Sequence, residues 1–288
     1  MKKQLKAKLE ERSEQFVQKR KIDDEKIIKK QKSLRKRKAE IVKVMATGRI
    51  ISREQMDDQD LIYYNVHLKY FIHQGGHFYL EEEVEMRKAS YFKGAIFEDV
   101  EVPVIYPEAT EDRIIKKEHS KDHRASFYYD RLNAVRYAER WWNSYNPAYK
   151  KFDVDCTNYI SQCLHAGGAP MRGYPNRSKG WWHQNRNWSY SWAVANSLKS
   201  HLQTSTAGLK AREVKDPMQL KLGDVICYDF QGDGRFDHNT IVTGKDAAGM
   251  PLVNAHTYNS RMRYWAYEDS SAYTPNIKYK MFTIIDDA

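Results

Sequence analysis

The spacing of apolar residues changes several times along the chain, and each change predicts a different kind of element. Residues 1–45 scatter Leu5, Leu9, Phe16, Ile22, Ile27, Ile28 and Leu34 among Lys, Glu, Gln and Arg, with no Gly or Pro. That composition favours helix. One long helix, or two with a break near Asp23-Asp24, is expected. Residues 61–70 instead alternate: Ile62, Tyr64, Val66, Leu68 and Tyr70 are apolar, while the other set turns polar at Asn65. A period of two predicts a strand whose apolar set faces a core. Gln74-Gly75-Gly76-His77 is a turn, and residues 77–87 and 90–105 continue as strands. Together they predict a small antiparallel sheet packed by the N-terminal helix. Residues 107–126 are charged and carry no apolar period, which predicts a linker.

From residue 127 the pattern predicts helices first and strands afterwards. Leu132, Val135, Tyr137, Ala138, Trp141 and Trp142 form a mostly inward helical stripe, ended by Asn146-Pro147. Tyr159, Ile160, Cys163 and Leu164 share one face of a second helix, stopped by Gly167-Gly168. A third helix is expected over residues 191–202. Strands are expected over 225–230, 238–243, 252–257, 261–265 and 277–285. Helices followed by antiparallel strands make an α+β arrangement. Four segments result: a basic helical segment (1–45), an accessory antiparallel β domain (46–106), a linker (107–126) and a chemistry-bearing domain (127–288).

Charge sharpens this division. Residues 1–40 hold 16 Lys/Arg against 7 Asp/Glu, whereas residues 41–288 hold 32 against 31. Any attraction to an anionic surface therefore belongs to the N-terminal segment. Its basic run, residues 29–38, lacks the interleaved aromatics that stack on bases, so no nucleic acid partner is expected and a solvated helix face is the default. No apolar run reaches the ~20 residues of a membrane-spanning helix. The lysine-rich start has no apolar stretch behind it, so no secretory signal is predicted and a cytoplasmic location is expected. Cys156, Cys163 and Cys227 have no paired spacing, which argues against a zinc ribbon or a disulfide framework and fits a reducing compartment. His67, His73 and His77 lie near one hairpin without carboxylate or cysteine partners at metal spacing. The loop over residues 229–237 has calcium-loop composition without its closing Glu. No metal or cofactor is predicted.

The candidate chemistry centres on Cys156. It follows Asp153 and Asp155 and falls in the first turn of a predicted helix, where backbone N–H groups and the helix dipole stabilise a thiolate. Asp155 is expected to cap that helix. A cysteine nucleophile needs a base and a group to orient the base. His238 opens a predicted strand. Asn254 and His256 lie two apart on the next one, so both point to the same side. Cys163 and Cys227 are expected in the core. Trp181, Trp182, Trp188 and Trp192 are rich in apolar area, either for packing or for a substrate groove.

Residues 129–147 (YDRLNAVRYAERWWNSYNP), 155–171 (DCTNYISQCLHAGGAPM), 191–198 (SWAVANSL), 222–244 (LGDVICYDFQGDGRFDHNTIVTG) and 251–257 (PLVNAHT) resemble the putative amidase domain family of bacilli and clostridia. That family is related to the papain-like NlpC-type and CHAP-type hydrolases of bacterial cell walls. The resemblance covers residues 127–285 and not residues 1–126. It implies a papain-like (NlpC-type) core of helices on an antiparallel sheet. It also implies Cys156 as nucleophile, His238 as base and His256 as third member, with Asn254 as the alternative. The oxyanion would be held by the Cys156 N–H and a donor from Tyr145, Asn146 or Tyr149. The implied activity is a cysteine-dependent amide hydrolase acting on peptidoglycan or a related peptide. Two alternatives stand beside it: a non-catalytic binding protein that keeps the papain-like shell, and an acyltransferase of the same fold. A wall substrate without an export signal suggests sporulation- or wall-associated work.

Overall fold

The computed structural model describes residues 1–18, 22–57, 59–103 and 127–286. The predicted linker over residues 107–126 lies outside the described residues. The chain is α+β with antiparallel strands, and it divides into two compact units. The first is Met1–Ile105 with Tyr258–Tyr273; the second is Tyr106–Thr257 with Thr274–Ala288.

In the first unit, helix α1 (Lys2–Val17) and helix α2 (Glu25–Lys36) flank the break expected near Asp23-Asp24. Asp24 caps α2, its carboxylate accepting from the Ile27 N–H at 3.1 Å. Strand β1 (Ala39–Met56) begins inside the stretch expected to be helical. Ile41, Val42 and Val44 are β-branched, and a strand costs such side chains less rotamer freedom than a helix. Strands β2 (Gln59–Gln74), β3 (His77–Phe92) and β4 (Ala95–Glu101) follow as an antiparallel meander. A further strand, Ser260–Tyr264, pairs with β3 from far along the chain. The alternating set Ile62 to Tyr70 is buried as its period predicts, against Leu5, Leu9, Phe16, Ile27 and Leu34 of the two helices. Helices and sheet thus share one core, and the boundary expected at residues 45/46 does not separate two bodies.

Strand β3 also turns Glu81, Glu83, Glu85 and Arg87 toward that buried side. Each carboxylate meets at least one cation, although Glu81 Oε2 is buried without a hydrogen-bond partner among the described residues. Glu85 takes Arg12 Nη1 at 3.0 Å and Lys26 Nζ at 2.6 Å. Glu83 takes Lys26 Nζ at 3.3 Å, Arg263 Nη1 at 3.8 Å and the Tyr70 hydroxyl. Glu81 takes Lys30, which also reaches Asp269 at 2.9 Å. Lys30 is therefore a buried ion-pair partner, not part of a solvated helix face. A buried carboxylate stays ionised only when cations and donors replace the water it loses.

The second unit holds α3 (Arg131–Trp141), α4 (Cys156–Ala166), the two-residue strands β5 (His183–Gln184) and β6 (Asn187–Trp188), α5 (Tyr190–Ala193) and α6 (Ala195–Thr204). Then come β7 (Lys210–Val214), β8 (Val225–Asp229), β9 (His238–Lys245) and β10 (Pro251–Ala255). With Ser260–Tyr264 counted as β11, the last strand is β12 (Lys278–Ile285). The order β10-β9-β8-β12-β7 is antiparallel throughout. On α3 the buried residues are the small Ala134 and Ala138, which let the helix approach closely. Leu132, expected inward, is 58% exposed. Helix α4 is the central element: Tyr159, Ile160, Cys163 and Leu164 are fully buried with Trp181, Trp192, Leu198, Val225, Cys227 and Ile241. It stops at Gly167-Gly168, and Gly168 takes the left-handed φ of +90° that glycine adopts without strain.

Candidate active site

Cys156 is the first residue of α4, and Asp155 holds the N-cap position. The Asp155 carboxylate makes no cap bond to the helix backbone. Its Oδ1 accepts from the Phe152 N–H and from Asn158 Nδ2, each at 2.9 Å, and its Oδ2 lies 2.9 Å from His256 Nδ1. The expected cap is replaced by a brace across the helix start. The Asp155 N–H donates to Thr257 Oγ1 at 3.3 Å.

The sulfur is buried, with 1% of Cys156 exposed, yet its surroundings are polar. Thr157 Oγ1 lies at 3.7 Å and the Asp237 carbonyl at 4.0 Å. The Asn239 N–H and the Thr257 hydroxyl also act on it. Burial pushes the thiol up from its ordinary value, and Asp155 adds to that. The Asn239 N–H and the Thr157 and Thr257 hydroxyls oppose the rise without cancelling it. The thiolate stabilisation expected of a helix N-terminus is therefore outweighed by desolvation, and the resting group is a thiol.

His238 is the first residue of β9, facing Tyr228 of β8, and it is buried. Its next neighbour, Asn239, points toward α4 and donates from Nδ2 to Thr157 Oγ1 at 2.9 Å. Successive strand side chains alternate, so the His238 ring lies on the other side. There it sits 5.6 Å from the Tyr228 ring and 6.1 Å from that of Phe230. The strand start thus touches the sulfur through backbone. The hydrogen-bonding neighbours of Cys156 are Thr157, Thr257, the Asn239 N–H and the Asp237 carbonyl.

The other proposed members occupy defined places. Both nitrogens of His256 face oxygen: Nδ1 the Asp155 carboxylate, Nε2 the Trp141 carbonyl at 2.7 Å. Its ring stacks on Tyr159 with centroids 4.0 Å apart. His256 therefore braces Asp155 and α3 and does not orient His238. Asn254 donates to Glu139 Oε1 and accepts from Thr243 Oγ1, each at 2.8 Å. Among the oxyanion donors, Asn146 is bonded to the Tyr137 hydroxyl and the Ala148 N–H. Tyr149 stacks on Trp192 at 5.9 Å, and Tyr145 packs edge-on to His256 at 4.9 Å. Trp181 and Trp182 are each 1% exposed, with indole N–H groups bonded to Ser161 Oγ and to the carbonyls of Asn176 and Lys179. They are core residues and not a groove, because their large apolar area is spent inside. Trp188 is half-buried. Cys163 and Cys227 lie in the core, and burial pushes both thiols up.

The sulfur's polar contacts Thr157, Thr257 and Asn239 went unpredicted. Each directly follows a singled-out residue (Cys156, His256, His238), and that adjacency is the one signal for them in the sequence.

Residues 128–282 match the family model described as the putative amidase domain. The chain is 50% identical over 269 residues to the uncharacterized protein YhbB of Bacillus subtilis (strain 168), covering 90% of this chain and 86% of that protein. The chain belongs to the putative amidase domain family. A second relative, the uncharacterized protein YjcM of the same organism, is 34% identical over 141 residues, which is 46% of this chain and 31% of that protein. No solved structure matches the chain. Membership supports amide hydrolysis as the general activity. The amidase domain contains every residue of the Cys156 neighbourhood, from Trp141 to Thr257.

Proposed function

We propose that the chain is a cysteine-dependent amide hydrolase with a papain-like core, that Cys156 is its nucleophile, and that its substrate is peptidoglycan or a related peptide. One observation carries this reading. A cysteine begins a helix and is buried among a backbone N–H, two threonine hydroxyls and a backbone carbonyl, with the backbone on either side of His238 against it. A cysteine that served only for packing would sit inside the apolar cluster, as Cys163 and Cys227 do.

In this mechanism Cys156 Sγ attacks the amide carbonyl. His238 takes the thiol proton and returns it to the leaving amine, and water then cleaves the thioester. Sulfur and imidazole are not hydrogen-bonded at rest, so the His238 side chain must swing toward the sulfur when substrate enters. Such bonds commonly tighten only in the substrate complex. The Cys156 N–H, at the open end of α4, is the backbone donor for the oxyanion. His256 and Asp155 hold the helix start in place.

The test is labelling with a peptidyl thiol-reactive probe, followed by mass spectrometry of muropeptide digests. Label on Cys156, lost in Cys156→Ala and reduced at least tenfold in His238→Ala, is the expected result. Equal labelling of Cys156→Ala and the parent removes the reading. A second reading, a non-catalytic binding protein, is favoured by the raised Cys156 thiol and the turned His238 ring; muropeptide binding without label or product would establish it.

A further inference from the structure

The loop that delivers Cys156 and the loop that follows α4 carry three cations that no carboxylate among the described residues answers. Lys150 Nζ sits 4.9 Å above the half-buried Trp188 ring and 5.5 Å from that of Phe152. Arg177 packs on Trp188 as well, its Cζ 5.0 Å from the centroid, while its Nε donates to the Trp188 carbonyl at 3.0 Å. Lys151 Nζ lies 4.2 Å above Tyr145. Elsewhere in this unit Arg131 pairs with Asp224 and Lys280 with Glu213. Lys150, Lys151 and Arg177 form no ion pair with any described residue. Asp153, exposed on the same loop, is the nearest carboxylate in sequence and joins none of them.

These cations are fixed to the site from two sides. On one, Phe152 stacks edge-on to Trp188 at 4.9 Å and gives its N–H to Asp155 Oδ1, while the Lys150 carbonyl accepts from Asn158 Nδ2. On the other, Tyr145 beneath Lys151 packs against His256, which holds the other Asp155 oxygen. Both routes end on the residue that precedes the nucleophile. An aromatic ring holds a cation in place and leaves its remaining N–H donors facing outward.

We infer that Lys150, Lys151 and Arg177 form a carboxylate-recognition rim, and that the chain prefers an acidic peptide with a carboxylate close to the amide presented to Cys156. The inference takes the position of that amide from the hydrolase reading above. Trp188 supplies the flat apolar floor, and the three cations supply the charge.

The test is fluorescence anisotropy with the Cys156→Ala protein and two dansylated, C-terminally amidated tetrapeptides, Ala-Glu-Ala-Glu and Ala-Gln-Ala-Gln. At low salt the Glu peptide binds about fivefold tighter, the effect of one or two exposed charge pairs. The ratio falls to about one in the Lys150→Gln/Arg177→Gln protein, returns in Lys150→Arg, and falls in the parent background at about 1 M salt, where exposed charges are screened. Equal affinities, no saturable binding by either peptide, or a preference that ignores these substitutions overturns the rim. Labelling of Cys156 without a charge preference keeps the hydrolase and removes the rim. A charge preference without labelling keeps the rim and removes the hydrolase.

Discussion

The two units solve burial in opposite ways. The second fills its interior with rings and aliphatic side chains: Trp181 and Trp192 at 4.9 Å, with Tyr159, Ile160 and Leu164 beside them. The first threads a file of carboxylates, Glu81, Glu83 and Glu85, through its interior and meets them with Arg12, Lys26, Lys30 and Arg263. The surplus of positive charge in residues 1–40 is therefore partly internal. Arg12, Lys26 and Lys30 are consumed by these carboxylates, Lys29 pairs with Glu25 at 2.7 Å, and Lys32 and Arg35 stay exposed on α2. A charge count along a chain does not say which charges reach solvent.

The contrast is broken most readily by removing one large ring from the second unit or one buried charge from the first. Trp192→Ala opens a cavity in the second unit and strands Asn158 Oδ1, so a loss of about 3–5 kcal/mol is expected in denaturant unfolding. Glu85→Ala leaves Lys26 and Arg12 buried without their shared partner, with an expected loss of about 3 kcal/mol. Replacing Glu85 and Lys26 together by Met and Leu should recover most of it, because a buried pair is dispensable where half of one is not. If the double replacement is as damaging as the single, the ions stabilise more than they cost.

Acid separates the units next. Burial raises the carboxylates, but Lys26 and Arg12 hold Glu85 below its ordinary range, as Lys26 and Arg263 do Glu83, and Arg263 and Lys30 do Asp269. Depressed carboxylates stabilise the folded state above the unfolded pKa and lose that contribution as pH falls through the folded one. Glu81 and Glu101, which burial pushes up, act with the opposite sign. Hydrogen exchange should show protection in β2 and β3 declining below about pH 4. Asp237 behaves in reverse: burial, with Asp229 and Asp233 nearby, raises it to about 6. Its contribution is present in acid and fades as pH rises toward 6, so exchange over residues 230–237 should quicken across that interval. The raised Cys156 thiol gives a labelling rate that climbs with pH through neutrality, about tenfold per unit, with no plateau near pH 7. The smallest effect belongs to the exposed Lys6–Glu10 pair at 3.6 Å, where Lys6→Ala should change stability by under about 0.5 kcal/mol.

Local periodicity made much of this legible beforehand. The alternation over residues 61–70 specified the buried face of β2, and the apolar face and paired glycines specified α4. Strand β1 was obscured because Lys, Arg and Glu around Ile41 and Val44 mimic the helical composition just before them. The inward turn of Glu81, Glu83 and Glu85 was hidden for a different reason. Their partners lie on α1, on α2 and at Arg263, and a period-two run of acids looks the same whether water or lysine faces it. The candidate site was legible in its elements and not in its contacts. Cys156 begins a helix and His238 a strand as expected, but local pattern could not show that His256 engages Asp155, or that Asn239 rather than His238 faces α4.

Residues 258–273 give the molecule an architectural constraint. The polypeptide leaves the second unit directly after Thr257, contributes a strand and the Arg263 and Asp269 charges to the first, and returns at Thr274, whose hydroxyl bonds the Phe230 carbonyl. Neither unit is thus a contiguous stretch of gene. Recombination that transplanted residues 127–288 alone would carry an orphan strand parted from β3, with Arg263 cut off from Glu83 and Asp269 from Lys30, an open invitation to edge-to-edge association. Inheritance of the two units as a pair is built into the route the backbone takes.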